Sequence, residues 1–163
     1  MSLDLEKFNK ESKSEFPANK KIKDKIKATR PKNLDAKFQQ AHDEVFSKVD
    51  CLDCANCCKT TSPILIQTDI DRLSKVFRMR SSEFIETYLF RDEEGDYVFN
   101  GAPCPFLGED NGCLVYENRP KACREYPHTD RKNNYQIADL TVLNTLVCPG
   151  VANIVNEINL KFQ

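Results

Sequence analysis

A chain of 163 residues with 24 Lys and Arg against 25 Asp and Glu carries a net charge of −1, which excludes whole-molecule steering toward a polyanion or polycation. Its length allows one domain with some extra chain. The 40% hydrophobic content, without tryptophan, implies a modest core of the kind that disulfides or metals staple, and eight cysteines are present to supply them.

Residues 1–32 are polar and lysine-rich and read as a basic, flexible arm, in which Leu3, Leu5 and Phe8 offer one weak amphipathic turn. From Lys20 to Lys32 the chain reads KKIKDKIKATRPK, seven basic residues against one acidic. Such a run suits nucleic acid or an anionic membrane surface, but the plainer reading is a solvated linker. Pro31 marks a boundary. Residues 33–163 then form the cysteine-rich domain, led by a helix over 33–49 whose Leu34, Phe38, Ala41, Val45, Phe46 and Val49 recur at steps of three and four and face that domain. Neither a signal peptide nor a membrane span is visible, so a cytoplasmic chain is expected.

Past the first cysteines, Pro63-Ile64-Leu65-Ile66 suits an extended segment. Thr68 with Asp71 has the form of a capping box, opening a helix with Ile70, Leu73, Val76 and Phe77 inward. Ser81 or Ser82 caps a further helix bearing Phe84, Ile85, Tyr88 and Leu89. Asp92 to Asp96 is a turn and Tyr97-Val98-Phe99 a strand. Asn111-Gly112 tolerates positive φ and predicts a hairpin that brings Cys104 to Cys113. Pro120 suits the first position of a short helix. After Cys148-Pro149-Gly150, a C-terminal helix carries Val151, Ile154, Val155 and Ile158 on one face.

Four of the cysteines, Cys51, Cys54, Cys57 and Cys58, fall within eight residues, and Cys104, Cys113, Cys123 and Cys148 follow. In a cytoplasmic protein disulfides are rare, and clustered thiols more often hold metal. Zinc takes four thiolates at about 2.3 Å, and iron–sulfur clusters, including the 4Fe-4S type, also take four cysteines. Cys51, Cys54 and Cys57 have the Cys-x-x-Cys spacing twice, as in ferredoxins, where the distant fourth ligand is followed by proline. Cys104-Pro105 and Cys148-Pro149 both offer that dipeptide. In an extended segment Cys57 and Cys58 point to opposite sides, so they serve two sites or one of them is not a ligand. The division of the eight thiols stays open at this stage.

Cys51-x-x-Cys54-x-x-Cys57-Cys58, Cys104-Pro-Phe-Leu, the run from Cys113 through Arg119-Pro120-Lys-Ala-Cys123-Arg124-Glu-Tyr126-Pro127, and Cys148 together resemble the YkgJ-like cysteine-cluster family of bacteria. That family is named for its CxxCxxCC motif and described as zinc- or iron-chelating. The resemblance spans roughly residues 50–150 and fills all eight cysteine positions. It implies an iron–sulfur cluster or zinc, with relatives of the flagellin lysine N-methylase type favouring the cluster.

Arg119 and Arg124 bracket Cys123, where guanidinium groups would offset a negative thiolate centre; the alternative is solvated side chains, or Arg119 paired with Glu117 or Asp110. His128 is read as a loop residue and His42 has no role. Tyr88, Tyr97, Tyr116 and Tyr126 suit the core edge. Asp69 and Asp71 are explained by helix capping. No phosphate loop, dinucleotide fingerprint or catalytic triad is present.

The expectation is a mainly helical, loop-rich α+β domain with a short hairpin. It holds metal for a structural or electron-transfer purpose and works with an unidentified protein partner. Two alternatives stand beside it: a cluster-dependent lysine methylase-like enzyme, and a zinc-stabilised module docking nucleic acid or protein through the basic arm.

Overall fold

The computed structural model describes residues 4–161; Leu3 lies outside them. The helices in chain order are α1 (Leu5–Thr29), α2 (Leu34–Phe46), α3 (Cys51–Cys54), α4 (Asn56–Thr60), α5 (Gln67–Val76), α6 (Ser81–Tyr88), α7 (Lys121–Glu125), α8 (Ala138–Asn144) and α9 (Pro149–Lys161). Strands β1 (Leu89–Arg91) and β2 (Tyr97–Phe99) form an antiparallel pair. The fold is therefore mainly helical α+β, as expected. Two compact units make it up: the residues through Cys54 together with those from Pro127 onward, and Ala55–Tyr126.

In the first unit, the stretch expected to be an unstructured arm is helix α1. Asp4 caps it by accepting from the Lys7 N–H at 3.0 Å, and it ends at Arg30 in the left-handed region (φ 41°), just before Pro31. Lysine dominates its composition and hides the reason it folds. Asn19, Ile22 and Ile26 share one face and are buried, and a short apolar face of this kind becomes stable only by packing on neighbours. Ile22 and Ile26 enter a core with Leu34, Phe38, Ala41, Val45, Val151, Ile154 and Ile158. Asn19 Nδ2 donates to the buried Thr145 Oγ1 at 3.3 Å, and Lys23 and Lys27 pair with Asp139 of α8.

The predicted faces of α2 and α9 form this same core, so α2 packs on the C-terminal helix, with Cys148 at the core's fringe. Polar pins fix α2 to the later chain. Asp35 accepts from the N–H groups of Asn133 and Asn134 at 2.7 and 2.9 Å. His42, given no role by the sequence, bonds Thr129 Oγ1 through Nδ1 at 2.8 Å and lies against Phe46.

The second unit is built on Leu65, Ile70, Leu73, Phe84, Leu89, Phe99, Phe106 and Val115. Leu65 is extended and bridges to Tyr97. The caps of its helices differ from expectation. Asp69, not Asp71, accepts the Ile66 N–H at the start of α5, at 3.2 Å. Arg80 precedes α6 and its N–H bonds Glu83, leaving Ser81 inside the helix. Val76 stays exposed, whereas Phe77, at the edge of the core, sets its ring against Phe84 and Phe106. The two-stranded hairpin is β1–β2, turning at Asp92–Asp96, whereas the predicted 104–113 hairpin is reduced to a single bridge between Leu107 and Cys113. Pro120 stands one place before its helix, at the N-cap of α7.

Candidate metal centre

Three segments of the second unit carry four cysteines within electrostatic reach of one another. Cys58 comes from α4, Cys104 and Cys113 from the two limbs of the 104–113 loop, and Cys123 from α7. Hydrogen bonds fix the loop: the Cys104 N–H donates to the Cys58 carbonyl at 2.7 Å, Gly108 N–H to Gly112 O at 2.7 Å, and Leu114 N–H to Phe106 O at 2.9 Å. Asn111 takes the left-handed conformation (φ 63°) that the Asn-Gly signal calls for. Phe106, two residues from Cys104, is buried against Phe77, Tyr88 and Phe99 at ring separations of 5.0 to 5.5 Å, so the aromatic core holds the cysteine-bearing loop.

The four thiols feel one another. Burial, then the charges of Cys58, Cys104 and Cys113, push the Cys123 thiol up to about 12, while Arg119 acts against them. Burial also raises Cys104, reinforced by the charges of Cys58 and Cys113; the N–H groups of Phe106 and Leu107, which face its sulfur, work in the opposite sense. Cys58 is lowered to about 7, chiefly by a hydrogen bond from Cys57, with burial opposing and Arg119 and Lys59 assisting. The Cys57–Cys58 pair is helical, not extended. Neighbouring side chains on a helix are about 100° apart rather than opposed, which is why Cys57 can reach Cys58.

A separate thiol group belongs to the first unit. Cys51 and Cys54 lie on α3, exposed and buried respectively, and Cys148 immediately precedes α9. Burial pushes Cys148 up to about 11; the charges of Cys51 and Cys54 add to this, and the N–H groups of Val151 and Gly150 offset part of it. No disulfide joins any of the eight cysteines among the described residues.

Of the two arginines singled out, Arg119 is electrostatically linked to Cys58 and Cys123. Its guanidinium lies 3.7 Å over the Tyr116 ring and its Nε donates to the Tyr116 carbonyl at 2.9 Å, in place of the alternative pairing with Glu117 or Asp110. Arg124 is exposed and donates to the Arg119 carbonyl at 3.0 Å. His128 sits in a left-handed turn (φ 65°) of the first unit. Sequence reasoning passed over Arg72, which joins α5 to the Arg119 segment; only its position three residues after Asp69, with both on one helix face, hinted at it.

Among the described residues, no three His, Cys, Asp or Glu side chains are already drawn into a geometry that holds a metal ion. The donor chemistry nonetheless fits a soft or borderline metal: reduced thiols in groups, with backbone N–H directed at the sulfurs of Cys104 and Cys148. Fold and donor set define a small, mainly helical thiol-rich domain of the metal-chelating class. The chain belongs to the CxxCxxCC family, whose model matches residues 50–144 and is described as a "Putative zinc- or iron-chelating domain". Cys148 lies beyond the matched residues. No curated protein and no solved structure matches the chain. Among the described residues, no helix is long and apolar enough to cross a membrane.

Proposed function

We propose that this chain holds a metal centre on the four thiolates of Cys58, Cys104, Cys113 and Cys123, and that its role is electron transfer. The observation that carries this reading is the mutual electrostatic contact of those four thiols, drawn from three segments of one compact unit. Arg119 supplies positive charge beside the thiolates, with Arg124 bonded to its carbonyl. The preferred occupant is an iron–sulfur cluster, supported by backbone N–H groups facing sulfur, which tune such clusters. The half-buried position of the four cysteines leaves an edge for a redox partner protein. Cys51, Cys54 and Cys148 are the second candidate donor group, and Cys57 acts on the first through Cys58. Zinc in the same four-thiolate site is the alternative; it makes the centre a staple for a small core.

Anaerobic purification from iron-replete cells, with iron, zinc and acid-labile sulfide counted per chain, tests this. Iron and sulfide in equal amounts, lost together in Cys104→Ser and Cys123→Ser, support the cluster. Zinc without sulfide moves the assignment to the structural site. Retention of metal by both variants refutes the ligand set.

A further inference from the structure

The second unit contains an ion pair, with a buried carboxylate and a partly exposed guanidinium, that the metal reading leaves unused. Asp69 is 1% exposed. Its Oδ1 accepts from Arg72 Nη2 at 2.6 Å and from the backbone N–H of Lys121 at 3.1 Å, while Oδ2 accepts from the Ile66 N–H. Arg72 in turn donates to the Arg119 carbonyl at 2.8 Å and to the Asn118 carbonyl at 3.4 Å. Both side chains belong to α5, and the groups they grip are backbone groups of residues 118–121. That short segment carries Arg119 and opens α7, where Cys123 stands two residues after Lys121.

We infer that Asp69 and Arg72 are positioning residues for the thiol centre, a two-sided clamp on the Asn118–Lys121 backbone that sets where Cys123 and Arg119 stand. The inference rests on the metal reading proposed above. The physical reason is that α7 is only five residues long and cannot hold its own orientation. A carboxylate at its first N–H and a guanidinium on the carbonyls of Asn118 and Arg119 supply charge-assisted bonds to the backbone on either side of Pro120. A bare packing role would need neither charge. Capping of α5 uses only Oδ2, which leaves Oδ1 for the clamp.

The test uses the reduced full-length chain titrated with Zn²⁺. Each cysteine's protection from iodoacetamide is followed by mass spectrometry, so every thiol reports its own midpoint. Two variants are compared with the parent: Arg72→Lys, which keeps the charge but loses the fork, and the double variant Asp69→Asn/Arg72→Met, which leaves no buried charge unpaired and so tolerates folding. Asp71→Asn is the control, since Asp71, also on α5, accepts from Gln67 of that helix and from Ser81 of α6 and has no hydrogen bond to the 118–121 backbone.

In the parent, Cys58, Cys104, Cys113 and Cys123 become protected together. In both clamp variants the Cys123 midpoint moves to about tenfold or more higher zinc, the size typical of losing an outer-shell partner. Cys51, Cys54 and Cys148 keep their parental response. A Cys123 midpoint within about twofold of the parent in both variants overturns the clamp, as does an equal shift in Asp71→Asn. If the parent's four thiols fail to respond together, the metal reading itself falls and takes the clamp with it; the parent measurement alone separates these two failures.

Discussion

The proposed centre makes a quantitative demand on pH. Metal binds thiolate, and burial holds Cys123 at about 12 with Cys104 also above its ordinary value. At neutral pH both thiols are therefore protonated in the apo chain, and each gives up a proton when metal enters. Every such proton makes the apparent affinity rise about tenfold per pH unit. Two protons predict at least about a hundredfold per unit, or roughly 10³-fold between pH 7.0 and 8.5. Cys58, lowered to about 7, adds little to this slope above pH 8. The assay is competition for zinc against a chromophoric chelator of known pH dependence, in a Cys148→Ser background that removes the other raised thiol. Cys123→Ser, which has no thiol proton to lose, must lower the slope by about one proton. A parental slope below one proton, or a slope that Cys123→Ser leaves unchanged, refutes the argument that buried, mutually repelling thiols form the site.

Three other substitutions probe the surroundings. Arg119→Gln removes the cation that favours the thiolate forms of Cys58 and Cys123 and is expected to weaken zinc binding about tenfold, with the far-ultraviolet circular dichroism unchanged. Gly150→Ala would place a Cβ 2.7 Å from the Phe46 ring. Overpacking costs about 1–3 kcal/mol and exceeds the helix gain of about 1 kcal/mol, so urea melts should show net destabilisation, changing to stabilisation when Phe46→Leu is also present. Ala55 stands at φ 47° before α4, and Ala55→Gly is expected to raise stability by up to about 1 kcal/mol through relief of left-handed strain. A loss in that melt would show that Ala55's own contacts outweigh the strain.

What was legible in the sequence was local. The faces of α2 and α9 follow from apolar spacing alone, because a stripe at steps of three and four has only one way to leave water. The Asn111-Gly112 turn follows from a backbone preference carried by two residues. Helix α1 escaped the same reasoning because its inward face mixes Asn19 with Ile22 and Ile26, and the partner that accepts from Asn19 is 126 residues away. The capping acids were misplaced by two residues at α5, where Asp69 and Asp71 are interchangeable by type. Only the Lys121 N–H, 52 residues further along, selects Asp69 for the buried position.

The thiols pose the same problem in a sharper form. Spacing groups Cys51, Cys54 and Cys57 as a ferredoxin-like run, yet Cys54 and Cys57 fall in different compact units and Cys58, outside that run, is the thiol coupled to Cys104 and Cys123. Spacing measures which sulfurs one turn of backbone can bring together. It carries nothing about the Cys104 N–H bonded to the Cys58 carbonyl, or about Arg72 holding the segment before Cys123. The presence of thiols is thus written locally, while which thiols stand near one another is decided by hydrogen bonds between segments far apart in the chain. A substitution at Asp69 or Arg72, which bear no sulfur, should therefore change metal binding more than one at Cys57, which bears one but acts through its neighbour.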